Sequence, residues 1–211
     1  MANYKTQIVY IVILLLLFTV LMGCARTVTE RVPFGSEIAF DINFRGEMNI
    51  GNNKYFVVIS TDEAYQIPFI PYEFVEPGIP PTDPSTIDEL YQYYGTWSGY
   101  IIVDAGIIYL VSGPFISTTE VYAHTQIGAV TEISEKLAFS FSIDKLFPEG
   151  LPDSVYFDFV TVDASKFLKD HLTPPSEYIS IYKNVIVIGA DEQDLSIDQS
   201  LDILNWVVTI Q

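Results

Sequence analysis

The residues able to do chemistry in this chain are few. Cys24 is its only cysteine, and it closes the stretch "LMGC" after an uncharged run, "IVYIVILLLLFTVLM", at residues 8–22. A thiolate is a strong nucleophile, and small Gly23 before it leaves the backbone open to a peptidase. The plainer readings are an inert buried cysteine or an uncleaved N-terminal anchor helix. His124 in "VYAHTQ" and His171 in "KDHLTPP" are the two histidines, and each reads as a surface or loop side chain rather than a ligand. The sequence has no Gly-x-Ser-x-Gly elbow, no Gly-rich phosphate loop and no His-Glu-x-x-His pair. Paired carboxylates could serve glycoside hydrolysis, but among so many acids no pair stands out. "DEQDLSIDQSLD" offers Asp191, Glu192, Asp194, Asp198 and Asp202 to a calcium ion, without the spacing or central glycine of an EF-hand. A solvated acidic turn is the simpler account of it. The expectation is a protein that is not an enzyme and uses no metal or cofactor.

Aromatic rings beside carboxylates offer a different chemistry. Sugar faces stack on Tyr and Trp, while carboxylates accept hydrogen bonds from hydroxyls. Such residues gather between Asp62 and Trp97, which also holds six of the twelve prolines. Tyr65, Tyr72, Tyr91, Tyr93, Tyr94 and Trp97 are the candidate ligand-binding residues. The alternative buries most of them in a small core of the loop itself. Trp97, where the loop rejoins "YIIV", is expected as a partly buried anchor, leaving Tyr91, Tyr93 and Tyr94 for any binding surface. So long a connection is uncommon and often functional, and its aromatic content argues against disorder. It is expected to fold over the end or one face of the domain.

These residues sit in a strongly acidic chain, with 27 Asp and Glu against 10 Lys and Arg. No Lys or Arg occurs between Lys54 and Lys136, a stretch that includes Glu76, Asp104 and Glu120. Such a surface repels phosphate backbones and anionic lipid heads, which excludes nucleic acid as a partner.

The elements that must position these groups read as strands. "EIAFDINFR" alternates with period two, placing Ile38, Phe40, Ile42 and Phe44 on one face. "KYFVVIST" follows a turn-rich connection, and "SGYIIVDAGIIYLVSG" reads as a hairpin turning at "DAG". "KLAFSFSID", "SVYFDFVTVD", "YKNVIVIGA" and "DILNWVVTIQ" add further strands, and a weaker one is expected around Val121. "YFVVISTD" and "YFDFVTVD" echo each other, each ending in an aspartate, Asp62 or Asp163, placed to accept from loop amides. Short helices are expected in "STIDELYQYYG", capped by Ser85 or Thr86, and in "DASKFLKDHL" and "DQSLDILN". The fold class is all-β: an antiparallel β-sandwich of about eight or nine strands with a long Pro- and aromatic-rich insertion, or alternatively a closed barrel.

Leu21, Gly23 and Cys24 resemble the lipobox of bacterial lipoproteins, with Met22 where that family usually has Ala, Ser or Thr. The resemblance implies cleavage before Cys24, a diacylglycerol on its thiol and a membrane as partner. Two or more acyl chains anchor stably. Ala25 stands where an inner-membrane retention signal would carry Asp. That implies the outer membrane in a two-membrane cell, and otherwise the outer face of the plasma membrane. The organisation expected is a signal peptide at 1–23, a lipidated tether at 24–36 and a domain at 37–211 with the insertion at 62–97. No second cysteine remains for a disulfide, so the domain must hold by packing.

"INFRGEMNIGNNKYFVVISTDE" and "LAFSFSIDKLFPEGLPDSVYFDFVTVDAS" resemble DOMON-like and family 9 carbohydrate-binding-module-like sandwiches. Those pass from a strand through an Ile-Pro-x-x-x-Leu corner to a strand ending in Asp. Here the corner is "SIDKLF", with Asp144 where Pro is common. The resemblance implies relatives that bind sugars, haem or other small ligands. The chain is poor in the His and Met that ligate haem. The expected role is a non-catalytic envelope protein that binds a glycan or other neutral small ligand. The alternative is a structural or assembly protein acting through protein contacts at the envelope.

Overall fold

The computed structural model describes residues 32–68, 72–118, 120–172 and 177–211. The chain divides into two units, Met1–Val32 and Pro33–Gln211, and the sandwich is built in the second. Cys24, the signal segment and most of the expected tether lie outside the described residues. Residues 33–36 run along the sandwich itself. Phe34 stacks on Tyr182 with ring centroids 5.2 Å apart, and Gly35 N donates to Ile181 O.

Among the described residues eleven strands make two antiparallel sheets. β1 (Glu37–Phe44), β6 (Lys136–Ser142), β10 (Ile186–Ala190) and β11 (Ile203–Ile210) form the smaller, in the order β10-β11-β1-β6. The larger sheet contains β2 (Lys54–Ser60), β3 (Gly99–Asp104), β4 (Ile107–Ser112), β5 (Thr125–Ala129), β7 (Ser154–Val162) and β8 (Leu168–His171), in the order β5-β4-β3-β2-β7-β8. Its seventh strand, β9 (Glu177–Ser180), pairs with the first half of β7. The architecture is a sandwich, not a closed barrel. β8 and β9 are the two strands the sequence did not announce.

The alternation in β1 explains the core between the sheets. Ile38, Phe40, Ile42 and Phe44 are all buried, joined by Trp206, Val208 and Ile210 of β11. Facing them are Tyr55, Val57 and Ile59 of β2 with Phe157 and Phe159 of β7. Phe40 meets Phe157 and Phe159 edge-on, each at 6.0 Å between centroids, the geometry that aromatic quadrupoles favour.

"KYFVVIS" does not alternate, because both faces of β2 are covered. Phe56 and Val58 point away from the first core, beside Tyr100, Ile102, Val160 and Val162. There they meet a second core supplied largely by the insertion: Tyr65, Phe74, Val75, Leu90, Tyr94 and Trp97. The insertion is thus a third layer over the larger sheet. Its helix α1 (Ile87–Tyr94) turns Leu90 and Tyr94 inward. A 3-10 turn at Pro84–Thr86 precedes it, capped by Asp83, whose Oδ1 accepts from Ser85 N at 2.9 Å. Thr86, one of the two expected caps, holds the N-cap position of α1, but its hydroxyl donates back to Asp83 O at 2.8 Å and does not accept from a helix amide.

Three expected elements differ. "DASKFLKDHL" forms a turn and then β8, because its second half pairs with Val160–Val162 of β7. "DQSLDILN" forms a turn that leads into β11. Val121 is exposed and lies outside any strand, and β5 begins only at Thr125, after Tyr122 has turned into the second core. Among the described residues no helix is long and apolar enough to cross a membrane.

Candidate ligand-binding cleft

The six candidate aromatics do not form one exposed surface. Tyr65, Tyr94 and Trp97 are buried at 6%, 1% and 3% exposure. Trp97 Nε1 donates to Gln66 O at 2.8 Å, and the Tyr94 hydroxyl donates to Val75 O at 2.6 Å. Burial pushes the Tyr94 hydroxyl far up, so it stays a donor. Tyr72, Tyr91 and Tyr93 are half-buried and pack against the second core. Tyr91 is held by a hydrogen bond from Gly78 N to its hydroxyl at 2.8 Å. The Tyr72 and Tyr93 rings lie 6.3 Å apart and are tilted by 54°, so they do not make a flat platform.

What the insertion does form is a cleft of about 460 Å³ against the larger sheet, within the size range of small-molecule sites. Lys54 opens β2, Asp104 closes β3, and Val162 to Lys166 supply the turn after β7. The insertion contributes Phe74, Val75, Glu76 and Ile79, and His124 reaches in just ahead of β5.

Glu76 organises the polar wall. Its residue is 7% exposed, and a buried carboxylate is tolerated only when well partnered. Lys54 Nζ donates to its Oε1 at 3.1 Å, while His124 Nε2 at 2.8 Å and the Tyr100 hydroxyl at 3.3 Å meet its Oε2. Lys54 also bonds Asp104 Oδ2 at 3.4 Å. Burial works against the Lys54 charge, but Glu76 and Asp104 outweigh it and hold the ammonium above its usual range. Burial, and then the Glu76 charge, push the Tyr100 hydroxyl up, which keeps it protonated. The other ring nitrogen of His124 faces Tyr122 O at 3.2 Å. Phe56, Phe74, Ile79 and Val162 make the apolar wall opposite.

The turn after β7 is built by Asp163, whose Oδ1 accepts from Ser165 N and Phe167 N at 2.9 and 3.0 Å. Asp62 likewise accepts from Ala64 N at 2.8 Å, so both aspartates of the sequence echo cap the turns that leave their strands. Lys169 Nζ pairs with Asp163 Oδ2 at 2.9 Å, and Lys166 Nζ lies 3.9 Å from Glu73 Oε2. Each lysine around the cleft is therefore matched by a carboxylate.

His171 lies elsewhere, half-buried at the end of β8, with its Nδ1 3.5 Å from Oδ2 of the buried Asp158. The acidic loop before β11 is organised by Arg45. Its Nε binds the Asp202 carboxylate, and its Nη2 donates to Asp194 O and Ile197 O at 3.0 and 2.7 Å. The guanidinium thus ties the two ends of that loop together through one carboxylate and two backbone carbonyls. Among the described residues no group of three or more His, Cys, Asp or Glu is arranged to hold a metal.

Sequence reasoning passed over Lys54, Glu76, Tyr100 and Asp104 as site residues; it read His124 as a surface or loop side chain, and the residue is exposed in a loop, with its ring against Glu76. One signal did point to them. Lys54 is the last base before a long base-free stretch, and Glu76 sits in the apolar context "FVEP". A lone cation and an acid inside an apolar segment each need a partner. Comparison with known proteins gives no matching family model, curated protein or solved structure.

Proposed function

We propose that this chain is a non-catalytic lipoprotein, anchored to an envelope membrane through acyl chains on Cys24, whose sandwich binds a neutral, hydroxyl-rich ligand of the glycan class in the cleft beneath the insertion. One observation carries the reading. A cleft of ligand size joins an apolar wall to a wall of charges already paired with one another. Lys54 is shared by Glu76 and Asp104, which leaves no unpaired cation there to hold an anion, yet the remaining donor and acceptor positions of these groups can meet hydroxyls. The apolar wall suits the C–H face of a sugar ring. Binding is favoured over catalysis because the acid and the imidazole of the cleft are tied into the Lys54–Glu76–His124 network.

The test is a glycan-array screen of the full chain in detergent, followed by titration of the best neutral hit. Asp104→Asn and Ile79→Ala, both at the cleft rim, should weaken binding by about tenfold or more, roughly 1.4 kcal/mol or above. Tyr93→Ala, outside the cleft, should leave it unchanged. The reverse result would move the site to the tyrosines of α1, and the absence of any neutral hit would end the glycan reading. The anchor is tested separately. Cys24→Ser should abolish metabolic labelling by a fatty-acid analogue, and equal labelling of the variant would refute lipidation.

A further inference from the structure

The cleft does not end at the turn after β7. A second depression of about 560 Å³ adjoins it, and the two share Asn52, Asp163 and Ala164 as lining. The far half is walled by the β1–β2 connection, the segment after β7 and the loop before β11, through residues such as Asn49, Ser165, Ser196 and Asp198. At the shared saddle the side chains are short, and Asn52 and Ala164 are exposed. Resting on the glycan reading above, we infer that the ligand is a linear neutral oligosaccharide lying across both halves, not a single sugar.

Four observations support this. Each half alone already has the volume of a site for one compact ligand, so the joined groove fits an elongated one. The halves also differ in character. The near half has the apolar wall, whereas the far half carries carboxamides, hydroxyls, two carboxylates and the Lys169 ammonium, groups that match hydroxyls and acetamido substituents. The groove is nearly neutral on a chain of net charge −17, since its lining includes Lys54, Lys166 and Lys169 beside Glu76, Asp104, Asp163 and Asp198. A polyanion finds no free cation there, and a polycation would be drawn to the acidic surface elsewhere. Finally, the walls are pre-built. Asn53 Nδ2 donates to Ser200 Oγ at 3.0 Å in a buried bond that ties the β1–β2 connection to the loop before β11, and Asp198 Oδ1 accepts from Ser200 N at 2.8 Å. Such preorganisation lowers the entropy cost of holding a long ligand. An extended peptide is the less suited occupant. Peptides add to open strand edges, and the far half is bordered by connections at 49–53, 163–169 and 196–201.

The experiment is calorimetric titration of the full chain with β-linked oligomers of glucose and of N-acetylglucosamine, from disaccharide to hexasaccharide, beside a neutral Gly-Ser peptide of similar length. Affinity should rise by about tenfold or more from disaccharide to hexasaccharide. Ala164→Trp, which blocks the saddle, and Asn49→Ala, which removes a far-half group, should cut hexasaccharide affinity to the disaccharide level and spare the disaccharide. Length-independent affinity that is still lost in Asp104→Asn would overturn the extended groove while leaving the cleft reading intact. Equal binding of the peptide would overturn the choice of glycan. Failure of every oligomer to bind would remove this proposal together with the reading beneath it.

Discussion

Trp97 shows how far a single side chain can carry an element. Its ring lies 4.9 Å from Tyr94 and 6.1 Å from Phe74 between centroids, and its indole N–H is bound to the backbone of the insertion. Truncating a buried tryptophan opens a cavity and loses its transfer energy, so Trp97→Ala should destabilise the protein by about 3–5 kcal/mol. Urea unfolding of the variant measures this. A nearly unchanged midpoint, with ligand binding lost, would instead make Trp97 a binding platform. From sequence, the aromatics of the insertion announced that something would be buried, because so many rings cannot all stay in water. Which of them would be buried was not legible. Tyr91, Tyr93 and Tyr94 look alike in a row, and only helical phase against the sheet separates buried Tyr94 from its half-buried neighbours.

At the scale of elements, the hairpin at "DAG" was plain from its residues and the strand at "LKDH" was not. Ala105 and Gly106 both have positive φ, at 48° and 80°, the geometry of a type I′ turn. The left-handed region is unfavourable for alanine and tolerated by asparagine. Ala105→Asn should therefore stabilise the β3–β4 hairpin by roughly 0.5–1 kcal/mol, read as a raised denaturation midpoint. No gain would mean that the turn relaxes at little cost. In "DASKFLKDHL", by contrast, local spacing favours a helix. Pairing with β7 and the amide bonds to Asp163 override that preference; both partners lie just before β8, but helical spacing does not show that the chain will turn back on β7. The cleft was illegible for a different reason. Its lining comes from five separated stretches, which no local pattern joins.

Across the whole molecule, two sheets and the insertion make three layers, and Asp170 is one of the links between the sheets. It lies on β8 of the larger sheet, and its Oδ2 accepts from Ile203 N, at the start of β11 in the smaller, at 2.7 Å. Burial, with the charges of Asp191 and Asp202 nearby, pushes its carboxyl up to about 6, while the Ile203 amide pulls the other way. The folded state therefore holds this proton more tightly than the unfolded chain, whose aspartate titrates near roughly 4. The resulting stabilisation is complete below the unfolded value and fades as pH rises through about 6. Asp170→Asn keeps an acceptor and removes the titration. Wild type should thus lose stability relative to Asp170→Asn between roughly pH 4 and 6. Parallel melting curves at several pH values test this, and a gap that does not move with pH would contradict it. Burial works against the His171 charge, but Asp158 and then Asp170 outweigh it and hold the imidazole above its usual range, so the gap between the two proteins carries a contribution from His171 as well as from Asp170.

The place of β1 has a mechanical consequence. It lies inside its sheet, laddered to β11 on one side and β6 on the other along nearly its whole length, and Ser36 N just before it donates to Gln211 O. In an antiparallel ladder the hydrogen bonds run perpendicular to the strands. Tension applied from the N-terminal side, where Cys24 lies, therefore loads two rows of bonds in shear together instead of peeling them one at a time. A chain held at that end would carry traction through a strand laddered along both edges.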